Sequence, residues 1–459
     1  MKQHVDMLVI GAGPAGIAAA VEGVRAGLKT VLMDEQITPG GKVFKHFNPA
    51  AVDRGERAVR PQLESALNLI KTKGLILGQT TVYSVDDTRL AETYSLNPKG
   101  EDYKRVAAKA IIVAPGAIDR LIPYPGWHLP GVFTVGGLNG LVKNGLKPGR
   151  EFLVGGSGPL LPLLAYNLIK AGAAVKAVVD CAPFFDYVKL GTTLGTNGYL
   201  SKAVLGLRYL AAIKKAGVPY LYGQVVCRAD GRERVERVHV RPLNGTGRET
   251  IYEADALAVS YGLMPDTRVT QLVNCGHEYV GEHGYWQAHR NDYLETTVPN
   301  VFAAGDGGAI EGFEAAWIQG GLAGLTAIRH CGADLSDHDE ERRHQMLSKL
   351  KHTRTVGRAL ARLAAPGPRA WELITDDTVI CRCEEVTYGQ VKDSAGGLEL
   401  MDINDLKRRL RLGMGHCQGR ICGQNVNELL SKAGGSRRPV EQISVRPPLA
   451  VVPIGRLAE

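Results

Sequence analysis

The chain has 459 residues, 44% of them hydrophobic, with 56 glycines and a formal net charge of +8. That length suits about three domains at roughly 150 residues each. No run of about 18 apolar residues free of Gly, Pro and charge appears, which argues against a membrane span. The first residues run straight into an apolar strand without signal-peptide grammar, so the eight cysteines are expected in a cytoplasmic protein without a disulfide framework.

In chain order, residues 5–10 form a short apolar strand. Gly11-Ala12-Gly13-Pro14-Ala15-Gly16 follows, then a helix from Ile17 to about Ala26 and a strand over 30–33 ending in Asp34, with Glu35 beside it. Gly11 permits the tight turn, Gly13 lets backbone approach a pyrophosphate, and Gly16 lets helix pack on strand. The helix N-terminus offers N–H groups and partial positive charge to phosphates. An acid about 20 residues on, here Asp34, is suited to ribose hydroxyls. A helix over 61–73 places Leu63, Leu67 and Ile70 on one face. Two or three strands fill 75–96, and an apolar strand over 108–113 reaches Ala114-Pro115-Gly116.

A Pro-rich connection, 122–130, and a helical stretch near 136–143 lead to a second unit of the same kind. It has a strand over 151–154, glycines at 155, 156 and 158, a helix to Ala171, a strand over 174–179 and then Asp180. Gly156 and Gly158 fit the first two glycine roles, and Asp180 sits where a ribose-binding acid belongs. Leu161 stands at the third glycine position, where its side chain should force repacking between helix and strand. A working NAD(P)H hydride site, a bound but non-reacting adenine nucleotide and an empty relic all stay open. Strands return over 234–242, 256–260 and 300–304, the last ending in Gly305-Asp306 before a small-residue helix from Glu314 to about His330.

Residues 342–363 read as a basic amphipathic linker helix, ended by Pro366-Gly367-Pro368. Residues 342–369 hold eight Lys/Arg and no Asp/Glu. A solvated face and a docking face for an acidic protein are the two readings. Nucleic acid is not expected, because no aromatic-interleaved platform accompanies the charge.

The last hundred residues read as a small α-rich module with four clustered cysteines. Cys381 and Cys383 form C-x-C, 33 residues intervene, and Cys417 and Cys422 form C-x4-C. Four thiolates are the usual complement of a [2Fe–2S] centre. Structural zinc also takes four, usually with C-x2–4-C spacing in both pairs, which the C-x-C pair does not match, and is the alternative. Cys422 opens a helix over 423–432 whose amides can point at sulfur, and Arg382, Arg420 and His416 flank the ligands. Cys181, Cys227, Cys275 and Cys331 read as incidental buried thiols.

Three resemblances sharpen this. TTVPNVFAAGDGG, residues 296–308, resembles the closing motif of the glutathione-reductase-like flavoproteins, whose aspartate, here Asp306, meets the ribityl and pyrophosphate region of FAD. Ala114-Pro115-Gly116 resembles that class's Ala-Thr-Gly strand end, and Gly40-Gly41 its glycine pair. The resemblance implies FAD on Gly11, Gly13, Pro14, Ala15, Gly16, Asp34, Glu35, Gly41, Lys42, Val82, Ala114, Gly116, Gly305 and Asp306. Neither 41–47 nor 173–186 holds a cysteine pair, which argues against a dithiol reductase of this class. CRCEEVTYGQV, 381–391, with GMGHCQGRICG, 413–423, resembles the bacterioferritin-associated-ferredoxin-like [2Fe–2S] module. IPYPGWHLPGVFTVGG, 122–137, with VGGSGPLLPLLA, 154–165, is similar to the flavoprotein subunits of hetero-oligomeric amine dehydrogenases. These include opine oxidases, proline and hydroxyproline dehydrogenases and hydrogen cyanide synthase.

The implied fold is α/β: a two-dinucleotide-binding-domain flavoprotein whose second Rossmann domain is inserted in the first, plus the cluster module. The expected boundaries are 1–120 and 263–335 for the FAD domain, 121–262 for the insert, 336–370 for the linker, 371–435 for the [2Fe–2S] domain and 436–459 for a tail. The family implies an electron-transfer subunit beside a D-amino-acid-oxidase-like flavoprotein subunit that opens the substrate C–N bond. A small ferredoxin-like subunit, FMN at an interface between subunits and a peripheral place at the inner membrane face are left open. No catalytic residue is assigned. The rivals are a self-contained NAD(P)H:acceptor reductase and a cofactor-bearing assembly scaffold.

Overall fold

Runs of Val, Ile and Ala separated by Gly-containing turns build two sheets flanked by helices, one parallel and one parallel but for the antiparallel hairpin Thr80–Val85 and Leu90–Ser95 at its edge. The computed structural model describes residues 2–44, 54–96, 104–394, 402–433 and 441–454. Lys2–Ile10 is the hub of the first sheet, pairing in parallel with Thr30–Met33 on one side and Arg105–Val113 on the other. Leu75–Leu77 pairs with Thr30–Met33, and Val301–Ala303 pairs with the end of Arg105–Val113. Alternation along the hub sorts two apolar layers. Met7 and Val9 face the helices Pro14–Arg25 and Phe313–His330, while Leu8 and Ile10 join Val269, Val273 and Leu449. The two helices touch through glycines: a Cβ on Gly320 would fall 1.9 Å from the Ala15 carbonyl oxygen.

The second sheet runs Tyr220–Tyr222, Ala174–Asp180, Glu151–Gly156, Ala256–Ser260, Val132–Thr134, all parallel. The chain enters and leaves it through one antiparallel pair, Ala117–Asp119 with Leu263–Pro265. The second Rossmann domain is therefore inserted in the first, as the motif order implies. Leu161 is fully buried in an apolar cluster with Val154, Leu164 and Leu138, which is the repacking that a side chain at the third glycine position demands. Two helices of the insert, Phe184–Thr196 and Leu200–Lys215, have no counterpart in the sequence reading. Glycines 191, 195 and 206 and exposed Phe184, Phe185 and Leu207 blur their periodicity.

The helix expected from Pro61 begins earlier, at Arg54, and holds Pro61 in its interior. The basic helix is also longer than expected, Asp337–Ala364. Ser336 caps it by accepting from the Asp339 amide, and three acids occupy its first turn. Its basic face is turned partly onto the chain itself, while Lys349, Lys351, Arg358 and Arg362 stay exposed, so the solvated and docking readings both stand for those residues. Arg342 meets Glu22 at 2.7 Å, Arg354 and Arg358 reach the buried Glu311 at 3.2 and 3.8 Å, and Arg362 pairs with Glu282.

Beyond this helix the chain shares a core with the insert. Trp371, Ile380, Cys381, Leu406 and Val426 pack in one cluster with Tyr124, Trp127, Val226 and Tyr261. Trp127, in the Pro-rich connection, donates from its indole nitrogen to the Val379 carbonyl at 2.6 Å. The described part of the expected tail, 441–454, is anchored. The Ser444 amide donates to Asn404 and the Leu449 amide to the Tyr83 carbonyl, both at 2.8 Å. Among the described residues no helix is long and apolar enough to cross a membrane.

Candidate functional site

The first glycine loop separates structural glycines from one the fold does not require. Gly11 has φ +102°, and a Cβ there would lie 2.2 Å from the Ala114 carbonyl oxygen. A Cβ on Gly16 would lie 1.8 Å from the Gly11 carbonyl oxygen. Both glycines are demanded by backbone packing. At Gly13 the φ is an ordinary −77°, and the nearest heavy atom to a Cβ is the Gly41 Cα at 3.9 Å. The space over Gly13 is thus a cradle that a side chain would fill and a pyrophosphate fits. Pro14 opens the following helix, and Ala15 lies under Gly305.

Asp34 is half-buried and bridges the loop: its carboxylate accepts from the Ala12 amide at 2.6 Å and the Gln36 amide at 2.7 Å. Glu35 beside it is exposed. Gly41, at φ +62°, approaches Gly13, and Lys42 donates to the Ala117 carbonyl at 2.6 Å. Gly116, at φ +80°, has open space where a Cβ would be. Val82 lies at a register shift in the hairpin whose first residue, Thr80, donates to the Asp34 carbonyl at 2.9 Å. These contacts bring the FAD candidates from Val82 and Asp34 through Gly13 and Gly41 to Gly116 into one neighbourhood around the first glycine loop.

The closing motif completes it. The Asp306 carboxylate accepts from the amides of Glu311 and Gly312 at 3.2 and 3.1 Å, and Gly312 caps the helix Phe313–His330. Burial pushes the Asp306 carboxyl up, and those two amides oppose the shift. Sequence reasoning missed the network behind it. Gln319 accepts from the Gly305 amide and from Arg290, both at 2.8 Å, and donates to Glu311 at 2.6 Å. Glu311 in turn takes Arg354 of the long helix. No local motif announces these partners, because they come from four separate stretches of chain.

The four clustered thiols do come together. Cys381 ends the strand Val379–Cys381 and Cys422 opens the helix Cys422–Ala433. Cys422 contacts both Cys381 and Cys417, and Cys417 also contacts Cys383. Contact with Cys422 pulls the Cys381 and Cys417 thiols down and pushes Cys422 itself up, while burial pushes Cys383 up. Backbone amides point at sulfur throughout: Gly413 and Glu384 at Cys381, Cys417 at Cys383, Ile421 and Gly419 at Cys417. Such N–H···S bonds stabilise an anionic sulfur centre. The four thiols form one chain of contacts, and four thiolates are the usual complement of a [2Fe–2S] centre.

Of the flanking cations, Arg382 and His416 are exposed, whereas Arg420 turns inward toward Asp266. Asp266 is bidentate with Arg268 at 2.7 and 2.8 Å, and burial lowers the Arg420 guanidinium. Arg420, Gly419 and Gln418 of the cluster loop line one cleft with Ile118, Met264 and Tyr285.

The second loop is differently filled. A Cβ on Gly156 would fall 1.9 Å from the Ser260 carbonyl oxygen, and one on Gly158 would fall 2.5 Å from the Ala364 Cβ. Asp180 is fully buried. It accepts from Tyr187 at 2.6 Å, Tyr220 at 2.8 Å and the Ala182 amide at 2.9 Å, and burial pushes its carboxyl up to about 6.

Two family models match this chain: pyridine nucleotide-disulphide oxidoreductase over residues 5–320, and the BFD-like [2Fe–2S] binding domain over 379–432. The first indicates binding of the FAD type and the second a [2Fe–2S] cluster. The HcnB subunit of hydrogen cyanide synthase from Pseudomonas aeruginosa is 34% identical over 97% of this chain and 97% of its own length. An opine oxidase subunit from Rhizobium meliloti is 29% identical over 99% of this chain and 98% of its own. The crystal structure of L-proline dehydrogenase from P. horikoshii is 22% identical, with a TM-score of 0.72 over 100% of this chain and 80% of that one, a likeness of fold.

Proposed function

The chain belongs to the pyridine nucleotide-disulphide oxidoreductase family and ends in a BFD-like [2Fe–2S] binding domain, and from that premise we propose that it is the electron-transferring subunit of a multi-subunit dehydrogenase acting on the C–N bond of an amino acid or amino-acid derivative. The observation that supports this reading is that one cleft is lined by residues adjoining both candidate cofactor regions. Arg420 and Gly419, between the ligands Cys417 and Cys422, line it together with Ile118, two residues beyond Gly116. When bound, FAD supplies two-electron chemistry and the cluster one-electron exchange.

The chain's residues hold and orient. Gly13 admits the pyrophosphate to the loop backbone, and the N-terminus of the helix Pro14–Arg25 faces it with partial positive charge. Asp306, fixed by two amides, presents its carboxylate at the start of the helix Phe313–His330. Lys42 is held beside Gly116 through the Ala117 carbonyl. Cys381, Cys383, Cys417 and Cys422 are the proposed ligands, and five backbone amides aimed at sulfur favour the reduced, more negative centre. Gly156, Gly158 and Asp180 are left out of this machinery.

Substrate oxidation is assigned to a partner subunit, which the naming of the relatives as subunits supports; its D-amino-acid-oxidase-like character is what the resemblance implies. FMN at the boundary with that partner, a small ferredoxin-like subunit and a peripheral membrane seat belong to the same reading, with no residue of this chain assigned to them. The test is anaerobic purification of the chain alone and with its co-expressed partner. We expect FAD and about two irons in the chain alone. Amine-dependent reduction of a dye should appear only with the partner. Zinc in place of iron from iron-replete cells, or full amine turnover by the chain alone, would overturn the reading.

A further inference from the structure

We propose that the second dinucleotide fold binds no nucleotide and serves instead as a socket for the end of the helix Asp337–Ala364, fixing the path to the cluster module. In a doubly wound sheet a dinucleotide lies outside the carboxyl ends of the strands, at the point where strand order reverses. In the insert that point lies between Glu151–Gly156 and Ala256–Ser260. The chain's own Leu363 and Ala364 occupy it. The Ala364 methyl would lie 2.5 Å from a Cβ on Gly158 and 2.8 Å from one on Gly262, and Ser157 donates its hydroxyl to the Leu363 carbonyl at 3.0 Å in a buried bond.

The donors a pyrophosphate needs are committed as well. The Ser157 amide donates to the Ser260 carbonyl at 2.9 Å, the Gly158 amide donates to Asp180, and Pro159 has no N–H. The ribose acid is sealed: a sugar would have to displace both Tyr187 and Tyr220 from Asp180, whose carboxylate is fully buried. The first loop shows the contrast, with open space over Gly13, a half-buried Asp34 and an exposed Glu35. The two folds share a glycine pattern, but only one keeps room for a ligand.

The socket has a mechanical consequence. The helix it receives carries Arg354 and Arg358 on Glu311, whose amide bonds Asp306, and Trp371 beyond it packs with Trp127 in the core that holds Cys381. One strut therefore ties the flavin region, the insert and the cluster module. Electrons then cannot enter as hydride from a nicotinamide in this fold. This last consequence rests on the FAD reading above; the socket itself does not.

The experiment uses the full FAD-replete chain, with FAD and iron content measured first so that failure of the cofactor reading is seen separately. NADH, NADPH and ADP at millimolar concentration should give no saturable heat, no flavin bleaching and no change in amide hydrogen exchange over residues 155–161. Saturable one-to-one binding with protection of that loop would overturn the proposal. In Ala364→Leu the longer side chain overpacks the socket. Exchange over 155–161 and 357–365 should rise roughly tenfold to a hundredfold, the ratio that such a strain implies, with FAD and iron retained. Unchanged exchange in a folded Ala364→Leu protein would equally overturn it, and if that variant does not fold, the nucleotide titration of the native chain decides alone.

Discussion

Single residues carry the sharpest distinctions in this molecule. Gly13→Val should fold, because its φ of −77° suits any residue and the nearest chain atom to a Cβ lies 3.9 Å away. It should nevertheless lose FAD, by at least about tenfold in affinity or ~1.4 kcal/mol, read as flavin absorbance per protein with a melting temperature matching that of the FAD-stripped native chain. Gly16→Ala should instead destabilise the fold, since its methyl would meet the Gly11 carbonyl. Cys383→Ser or Cys417→Ser should abolish or alter the cluster spectrum, while Cys227→Ser and Cys275→Ser should leave it intact. Those two sit away from the cluster, against the His239 carbonyl and Thr296.

His277 gives a pH signature at the same scale. Burial pushes its pKa from the ordinary 6.5 down to about 4. A group lowered in the fold contributes stability that is fully present above 6.5 and is lost as pH falls toward 4, because the unfolded chain binds the proton first. Urea midpoints measured across that window should fall less steeply in His277→Asn than in the native chain. Parallel slopes would remove His277 from the account.

At the scale of elements, the long helix acts as a strut. Its charge pattern suggested a solvated or partner-docking face, yet Arg354 is 17% exposed and its partner Glu311 only 3% at their side chains. Reversal there places two carboxylates together in a buried site, so Arg354→Glu should cost about 3–5 kcal/mol. The measured outcome is a lowered melting temperature with weakened FAD retention, since Glu311 braces the Asp306 loop. Unaltered stability would return Arg354 to the docking reading. The segment after the cluster helix has a comparable part: Ile443 lies against Gly413, Gly419 and Gly423, so it covers the loop bearing Cys417 and Cys422. Glycine at those three positions lets an isoleucine side chain sit directly on the loop backbone.

At the scale of the whole molecule, the insert and the cluster module share one apolar core, with Trp127 bonded to the strand that bears Cys381. The cluster module is thus built into the body of the protein, and its distance from the flavin region is set by side-chain packing. The chain alone should therefore hold both cofactors, while amine-dependent turnover should appear only on adding the partner. The comparison is dye reduction with and without it at matched FAD content. Arg358, 58% exposed at its side chain, tests the docking reading: slower partner association in Arg358→Glu would support it, and unchanged assembly would return that residue to the solvated face.

Local chemistry determined a great deal by itself. The strand–glycine–helix order around Gly11, Gly13 and Gly16, the acid at Asp34, the Gly305-Asp306 strand end and the four cysteine positions were legible because each depends on short-range backbone geometry or fixed ligand spacing. The insertion of one Rossmann unit in the other was legible from motif order, and the strand pair Ala117–Asp119 with Leu263–Pro265 bears it out. Other features were decided only in three dimensions. From the sequence, Gly156, Gly158 and Asp180 left a hydride site, a bound nucleotide and an empty relic all open; in three dimensions Ala364, more than 200 residues downstream of Gly158, lies against that glycine, and Tyr187 and Tyr220 close over the acid. The Arg290–Gln319–Glu311–Arg354 network is equally remote in sequence. A glycine pattern specifies that a backbone can be approached closely; which atoms approach it is decided by packing between distant segments.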